Sequence, residues 1–249
     1  MWKAALNLDA LLRPTVDAAV RSLVGDDVSR AKVVIAGHSL GAGVGALLAS
    51  LWRFGPASRR PLWAIAGDHS RNSSRSSSRN SSNNDTNLRC LAFGCPCVLE
   101  PRVATSEEMR ALVTSVVNGD DMVCRWSLAS SRDLQEMIRA VALEATTSTE
   151  ADRARVFARA RAAAASRPGR ELLLPPGRAL HYKGAGRLEQ VPNAQFSELV
   201  LSWSSFASHL PLAYEEGMDA AATAAAASAS GVGARMAFSG GGSGATAAL

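Results

Sequence analysis

Ser39 stands between two glycines in Val33-Val34-Ile35-Ala36-Gly37-His38-Ser39-Leu40-Gly41-Ala42-Gly43. A serine hydroxyl becomes a useful nucleophile when a neighbouring base takes its proton. The pattern Gly-x-Ser-x-Gly supports that chemistry when a strand runs into the serine and a helix leaves it, because the sharp turn then lifts the hydroxyl clear of the sheet. Both elements are written here. Val33 to Ala36 is an apolar, β-branched run, and Gly41-Ala42-Gly43 opens a small-residue helical pattern. The spacing predicts Ser39 as nucleophile, with glycines on both flanks where a Cβ would clash as strand and helix approach. It also predicts the Leu40 backbone N–H as an oxyanion donor at the helix N-terminus.

The base must come from four histidines, His38, His69, His181 and His209. His38 lies inside the turn and is expected to point away from Ser39. His69 borders a low-complexity stretch, a poor platform. In this arrangement the chain order is serine, acid, histidine, which leaves His181 and His209. His181 alternates with Leu180 and Tyr182 in a strand-like segment. His209 follows Phe206-Ala207-Ser208 in a loop leaving an apolar element, and it is the favoured base. The acid is expected at the end of a strand, where Asn118-Gly119-Asp120-Asp121 follows an apolar run. Spacing alone leaves Asp120 and Asp121 equivalent. Either would hold the imidazole tautomer and stabilise the imidazolium.

The elements that must position these groups can be read from periodicity. Ala4 to Leu23 reads as a helix with Leu6, Leu11, Leu12, Val16, Ala19, Val20 and Leu23 on one face. Buried strands are expected at Val33–Gly37, Leu88–Phe93 and Val113–Val117, and shorter ones at Leu180–Tyr182 and Leu188–Val191. Helices are expected at Gly41–Phe54, Ser106–Leu112, Asp133–Leu143 and Thr149–Ala165, with Phe196–Trp203 a further strand or the start of a helix. The helices between Arg132 and Ala165 fall between acid and base in the chain and are placed to cover the site. Residues 71–87 are Ser/Asn/Arg low complexity and residues 219–249 an Ala/Gly/Ser tail; both compositions read as disordered. Strands and helices alternate and the strands are continuous apolar runs, which argues for an α/β fold: a mostly parallel sheet with helices on both faces.

Composition bounds the partners. The chain has 249 residues, 47% hydrophobic, with 27 Lys and Arg against 22 Asp and Glu, a net charge of +5. Such a balance suits an anionic surface. The Arg71–Arg79 stretch lacks interleaved aromatics for stacking bases, which argues against nucleic acid. Cys90, Cys95, Cys97 and Cys124 form no C-x-x-C pair, so they read as reduced thiols rather than a zinc site. No secretory signal and no apolar run long enough to span a bilayer is seen, which reads as a cytoplasmic or peripheral membrane protein.

Several blocks, in order, resemble the class 3 lipases, specifically the sn-1-specific diacylglycerol lipase branch. They are Gly37-His38-Ser39-Leu40-Gly41-Ala42-Gly43, Leu91-Ala92-Phe93-Gly94-Cys95-Pro96, Val117-Asn118-Gly119-Asp120-Asp121-Met122-Val123-Cys124-Arg125, Leu174-Pro175-Pro176-Gly177-Arg178, and Ser208-His209-Leu210-Pro211 with Tyr214. The resemblance spans roughly residues 1–218 and implies an α/β-hydrolase fold and a serine lipase cleaving acylglycerol esters. It implies Asp121 as the acid, strengthens His209, and points to a lipid substrate at a membrane or lipid-droplet surface. No cofactor is required for these steps; the resemblance allows calcium as a regulator. Cys124 stands where the family usually has proline. The family also has upstream strands and a second oxyanion donor in an Arg-Gly-Thr-like loop, which this sequence lacks, so the chain reads as an N-terminally truncated lipase domain. The alternative expectation is therefore a catalytically incomplete fragment or a lipid-binding pseudo-lipase.

Overall fold

The run after Lys32 forms strand β1, Val33–His38, and it ends at Ser39, where helix α2, Leu40–Phe54, begins. The computed structural model describes residues 1–65, 87–144, 149–184 and 186–238. Helix α1, Trp2–Val24, precedes β1, and a single turn, α3, Leu62–Ile65, follows α2. Strand β2, Leu88–Phe93, leads through α4, Pro101–Ala104, and α5, Glu107–Leu112, into β3, Val113–Asn118. Ser106 caps α5 by accepting from the Met109 N–H, as a serine before two glutamates should. Helices α6, Leu128–Glu144, and α7, Glu150–Ala165, pack on each other before β4, Arg178–Tyr182. Strand β5, Leu188–Val191, and helix α8, Pro211–Phe238, complete the order.

The five strands form one sheet in the order β1-β2-β3-β4-β5, parallel from β1 to β4, with β5 antiparallel on the far edge. Register divides the sheet into two faces. Val33, Ile35 and Gly37 align with Leu88, Cys90 and Ala92, and Cys90 and Ala92 align in turn with Val113 and Ser115. This face carries the main core, where α2 packs Ala42, Ala46 and Ala49 beside Cys90, Ala92 and Val113. Helix α1 packs outside α2.

The other face is covered unevenly. Val34, Ala36, Arg89 and Leu91 are exposed, whereas Val116 and Asn118 further across are buried. Continuous apolar strands lead to the expectation of helices on both faces. That expectation holds, because α8 lies against the ends of β3 and β4 on this second face, but the cover there is uneven: β2 alternates buried and exposed residues, and β1 alternates half-buried and exposed ones.

Three other expectations change. Helix α1 is turned relative to its apolar pattern: Ala5, Asp9 and Val20 are buried, while Leu11, Leu12 and Leu23 are exposed. Asp9 sets that phase. Its carboxylate accepts from Trp52 Nε1 at 2.9 Å and Arg59 Nη1 at 2.8 Å, and Arg13 pairs with it at 3.4 Å. A buried carboxylate is tolerable only with such partners. Of the segment 219–249, expected to be disordered, residues 219–238 belong to α8, as alanine's strong helix propensity favours, and residues 239–249 lie outside the described residues. Residues 197–203 form neither strand nor helix; they hold a set of serine-bonded turns in which Ser205 Oγ accepts from Ser202 N–H. Most of the segment 71–87 lies outside the described residues. Asn87 at its end is buried, with its carbonyl accepting from Val33 N–H and its amide donating to Ser29.

Candidate active site

Ser39 sits in the turn between β1 and α2 with φ of +58°. It is the only non-glycine with positive φ among the described residues. Left-handed backbone costs an L-residue about 1–2 kcal/mol, and such strain gathers at functional turns. The turn is held by the Ser39 N–H donating to the Phe93 carbonyl at 2.8 Å, and by the Ser39 carbonyl accepting from Ala42 and Gly43. A Cβ at Gly37 would lie 2.7 Å from the Gly41 carbonyl group, so glycine is required there. A Cβ at Gly41 would meet nothing within 4 Å. The expectation that both flanks forbid a side chain therefore holds only at Gly37; the close approach is made by Gly41's backbone, not by its missing side chain. Leu40 is the first residue of α2, so its N–H has no carbonyl one turn back to bond and faces the site end of the helix axis.

Histidine 209 lies 170 residues further on, in a short turn just before α8. Its Nε2 accepts from the Ser39 hydroxyl at 2.8 Å, and its Nδ1–H donates to Asp121 Oδ2 at 2.9 Å. Asp121 is fully buried. It follows β3 in a turn where its own N–H bonds the Asn118 carbonyl. Its Oδ1 accepts from Val123 N–H at 2.7 Å, and Oδ2 also accepts from the Tyr214 hydroxyl at 2.6 Å and the Cys124 thiol at 3.6 Å. The buried carboxylate is thus fully supplied with donors, as burial demands. Hydroxyl, imidazole and carboxylate form one continuous relay, the arrangement needed for nucleophilic attack with general base assistance.

The other candidates lie elsewhere. Asp120 meets Ser204 Oγ at 3.4 Å, away from the histidine ring. The His181 Nε2–H donates to the Gly119 carbonyl at 2.8 Å, and its Nδ1 accepts from Gln195 at 3.0 Å. Burial first, and the Arg125 and Lys183 charges with it, hold His181 below the ordinary histidine range against an opposing bond to Gly119. It is a neutral group of the core. His69 lies outside the described residues. His38 lies beside the site, where its ring bonds the carbonyl of His209 at 2.9 Å.

Some residues at the site carry little sequence signal. Gly94, with φ of +60°, backs directly onto the relay: a Cβ there would lie 3.1 Å from His209 Cε1 and 3.2 Å from Asp121 Oδ2. Its signal was only a glycine ending a strand. Tyr214 stands in the histidine block, but nothing in its spacing shows that it bonds Asp121. Asn118 donates from Nδ2 to the Ser208 carbonyl at 3.0 Å, and its N–H donates to the Tyr214 hydroxyl at 3.1 Å. It reads in sequence as an ordinary turn residue.

The sequence neighbours of the relay residues include several exposed apolar side chains. Leu40 beside the nucleophile, Phe206, Leu210 and Leu212 around the histidine, and Trp126 and Leu128 after the acid loop are all exposed, and Trp203 is completely so. The four cysteines are buried free thiols. Burial pushes Cys90 and Cys97 up to about 12 and raises Cys95 and Cys124 well above the ordinary thiol value. Among the described residues no group of three or more His, Cys, Asp or Glu side chains is placed to hold a metal ion. No helix among them is long and apolar enough to cross a membrane. Residues 1–131, a little over half of the chain, match the family model described as Lipase (class 3). No curated protein and no solved structure matches the chain.

Proposed function

The chain belongs to the class 3 lipase family, α/β-hydrolase lipases that cleave acylglycerol esters, and on that premise we propose that it hydrolyses diacylglycerol-like esters through Ser39, His209 and Asp121. The observation that carries this reading is the relay of 2.8 Å and 2.9 Å hydrogen bonds linking the three. His209 Nε2 takes the Ser39 proton as Oγ attacks the ester carbonyl. The resulting oxyanion is met by the Leu40 N–H at the start of α2. As the tetrahedral intermediate collapses, His209 returns that proton to the departing glyceride oxygen, leaving acyl-Ser39 and an alcohol. Water, deprotonated by the same nitrogen, then releases the fatty acid and restores Ser39. Asp121 accepts from Nδ1–H throughout, which keeps Nε2 free to act as base and stabilises the imidazolium.

Placement at a lipid surface is part of the same proposal. Its support is the set of exposed apolar side chains next to Ser39 and His209 in the chain, Leu40, Phe206, Leu210 and Leu212, since exposed apolar surface beside a site is where a lipid surface would dock. A fluorophosphonate probe tests the chemistry. Labelling of the folded wild type and its loss in Ser39→Ala are the expected result. Turnover of diacylglycerol ahead of triacylglycerol, phospholipid and short soluble esters would support the substrate assignment. A folded wild type that neither labels nor turns over ester would replace this reading with that of a lipid-binding pseudo-lipase. The bare second face of β1 and β2 favours that second reading, because the nucleophile's own strand is the least covered in the parallel sheet.

A further inference from the structure

We propose that His38 is a positioning residue for the base, so that the residue before the nucleophile fixes the backbone of the histidine that activates it; this rests on the assignment of Ser39 and His209 above. The His38 Nε2–H donates to the His209 carbonyl at 2.9 Å, across 171 residues of chain. The two imidazole rings lie 4.8 Å apart at 32°, and Tyr214 closes the other side edge-on at 5.5 Å. His38 is the last residue of β1, and its register partner on β2 is Phe93, whose ring also meets Tyr214 edge-on at 6.2 Å.

His209 sits in a short turn outside the sheet, directly before α8. It is pinned residue by residue from the strand ends. Asn118 holds the carbonyls of Ser208 and Ala213, Asn118 N–H holds the Tyr214 hydroxyl, and His38 holds residue 209 itself. Of these bonds from the strand ends, the His38 bond is the one that reaches the main chain of the base, whose own N–H bonds the Phe206 carbonyl within the turn. Because His38 and Ser39 are consecutive on one strained turn, a displacement of that turn carries nucleophile and base together. The distance between Ser39 Oγ and His209 Nε2 is thereby protected against movement of either segment. Misplacing a reacting group by about 1 Å costs on the order of a hundredfold in rate, so a bond of this kind is a kinetic device as well as a structural one.

The test compares His38→Ala with His38→Gln, whose amide N–H reaches about as far as the imidazole Nε2–H. Three readouts are taken on each folded variant: kcat and KM for ester hydrolysis, the fluorophosphonate labelling rate, and the low-field proton resonance of His209 Nδ1–H. The proposal expects His38→Ala to lower kcat and labelling by about ten- to a hundredfold with little change in KM. It expects the low-field resonance to weaken, and His38→Gln to restore all three. Loss of equal size in both variants, tracking only the melting temperature, would overturn it, as would an unchanged His38→Ala. If wild type proves inert towards probe and ester, the hydrolase reading fails by itself. The resonance still decides the positioning role: dependence on a donor at residue 38 supports it, and indifference overturns it.

Discussion

His38, Phe93 and Asn118 end three neighbouring strands on one sheet face, and all three are engaged by Tyr214 or the His209 segment. Only a few residues earlier on that same face, Val34, Ala36, Arg89 and Leu91 are open to water. The open stretch is mostly apolar while the covered ends include His38 and Asn118, so apolar composition does not decide which half is covered. What differs is the presence of α8, whose first turn brings Tyr214 down onto the strand ends. Among the described residues, α8 meets this face where His38, Asn118 and Tyr214 donate to the His209 segment and to Asp121, while the earlier residues of β1 and β2 stay exposed.

The sharpest way to break this contrast is at Gly94, behind the relay. Gly94→Ala places a Cβ against His209 and Asp121 at a positive φ. The expected outcome is a ten- to hundredfold fall in labelling rate and a loss of about 1–2 kcal/mol from the backbone alone, measured by probe kinetics and urea unfolding. Next is Tyr214→Phe, which removes the hydroxyl from Asp121 and from the Asn118 N–H. Leaving buried groups unsatisfied costs about 1–3 kcal/mol, so a lower urea midpoint and reduced kcat are both expected.

Alkali separates the two faces of a single strand. Cys90 on the covered side, with Cys97 in the loop beyond β2, is held up to about 12 by burial, against 9.0 for a free thiol. In the unfolded chain these thiols ionise first. The stability they contribute is therefore complete below pH 9 and is lost as pH rises from 9 toward 12. At pH 10 the loss is about 1–2 kcal/mol per thiol, readable from urea midpoints at pH 8 and pH 10. A cysteine placed at the exposed Leu91 should react rapidly with a thiol reagent at pH 8, while Cys90 stays protected until unfolding. The smallest effect is expected from Leu91→Gln itself. A change within about 0.5 kcal/mol, as for other exposed sites, would keep the bare half bare. A loss of 2 kcal/mol or more would show that something covers it.

Much of the parallel sheet was legible because buried strands leave short apolar runs, and the Ser39 turn because glycine at residue 37 is demanded by contact. His209 could be reached by elimination among four histidines. Choosing Asp121 over Asp120 needed the family resemblance; the physical difference, full burial among four donors against a surface bond to Ser204, exists only after folding. Sidedness was not legible either, since an apolar run such as Val33–Ala36 is silent about which face receives a helix. The phase of α1 was misread because Asp9, a charged residue, points inward once Trp52 and Arg59 reach it. The contact of His38 was not legible because its partner is a main-chain carbonyl 171 residues away, which no local pattern encodes.

That separation has a consequence in time. The bonds joining Ser39 to His209 and His209 to Asp121 close loops of 170 and 88 residues. Contacts so distant in the chain form after local ones, because loop closure must precede any gain from them. During refolding, helical signal from α1, α2 and α7 should therefore recover first. The Ser39–His209 and His209–Asp121 bonds should recover last, so that a chain released from denaturant passes through a stage that is helical and partly packed but lacks the relay.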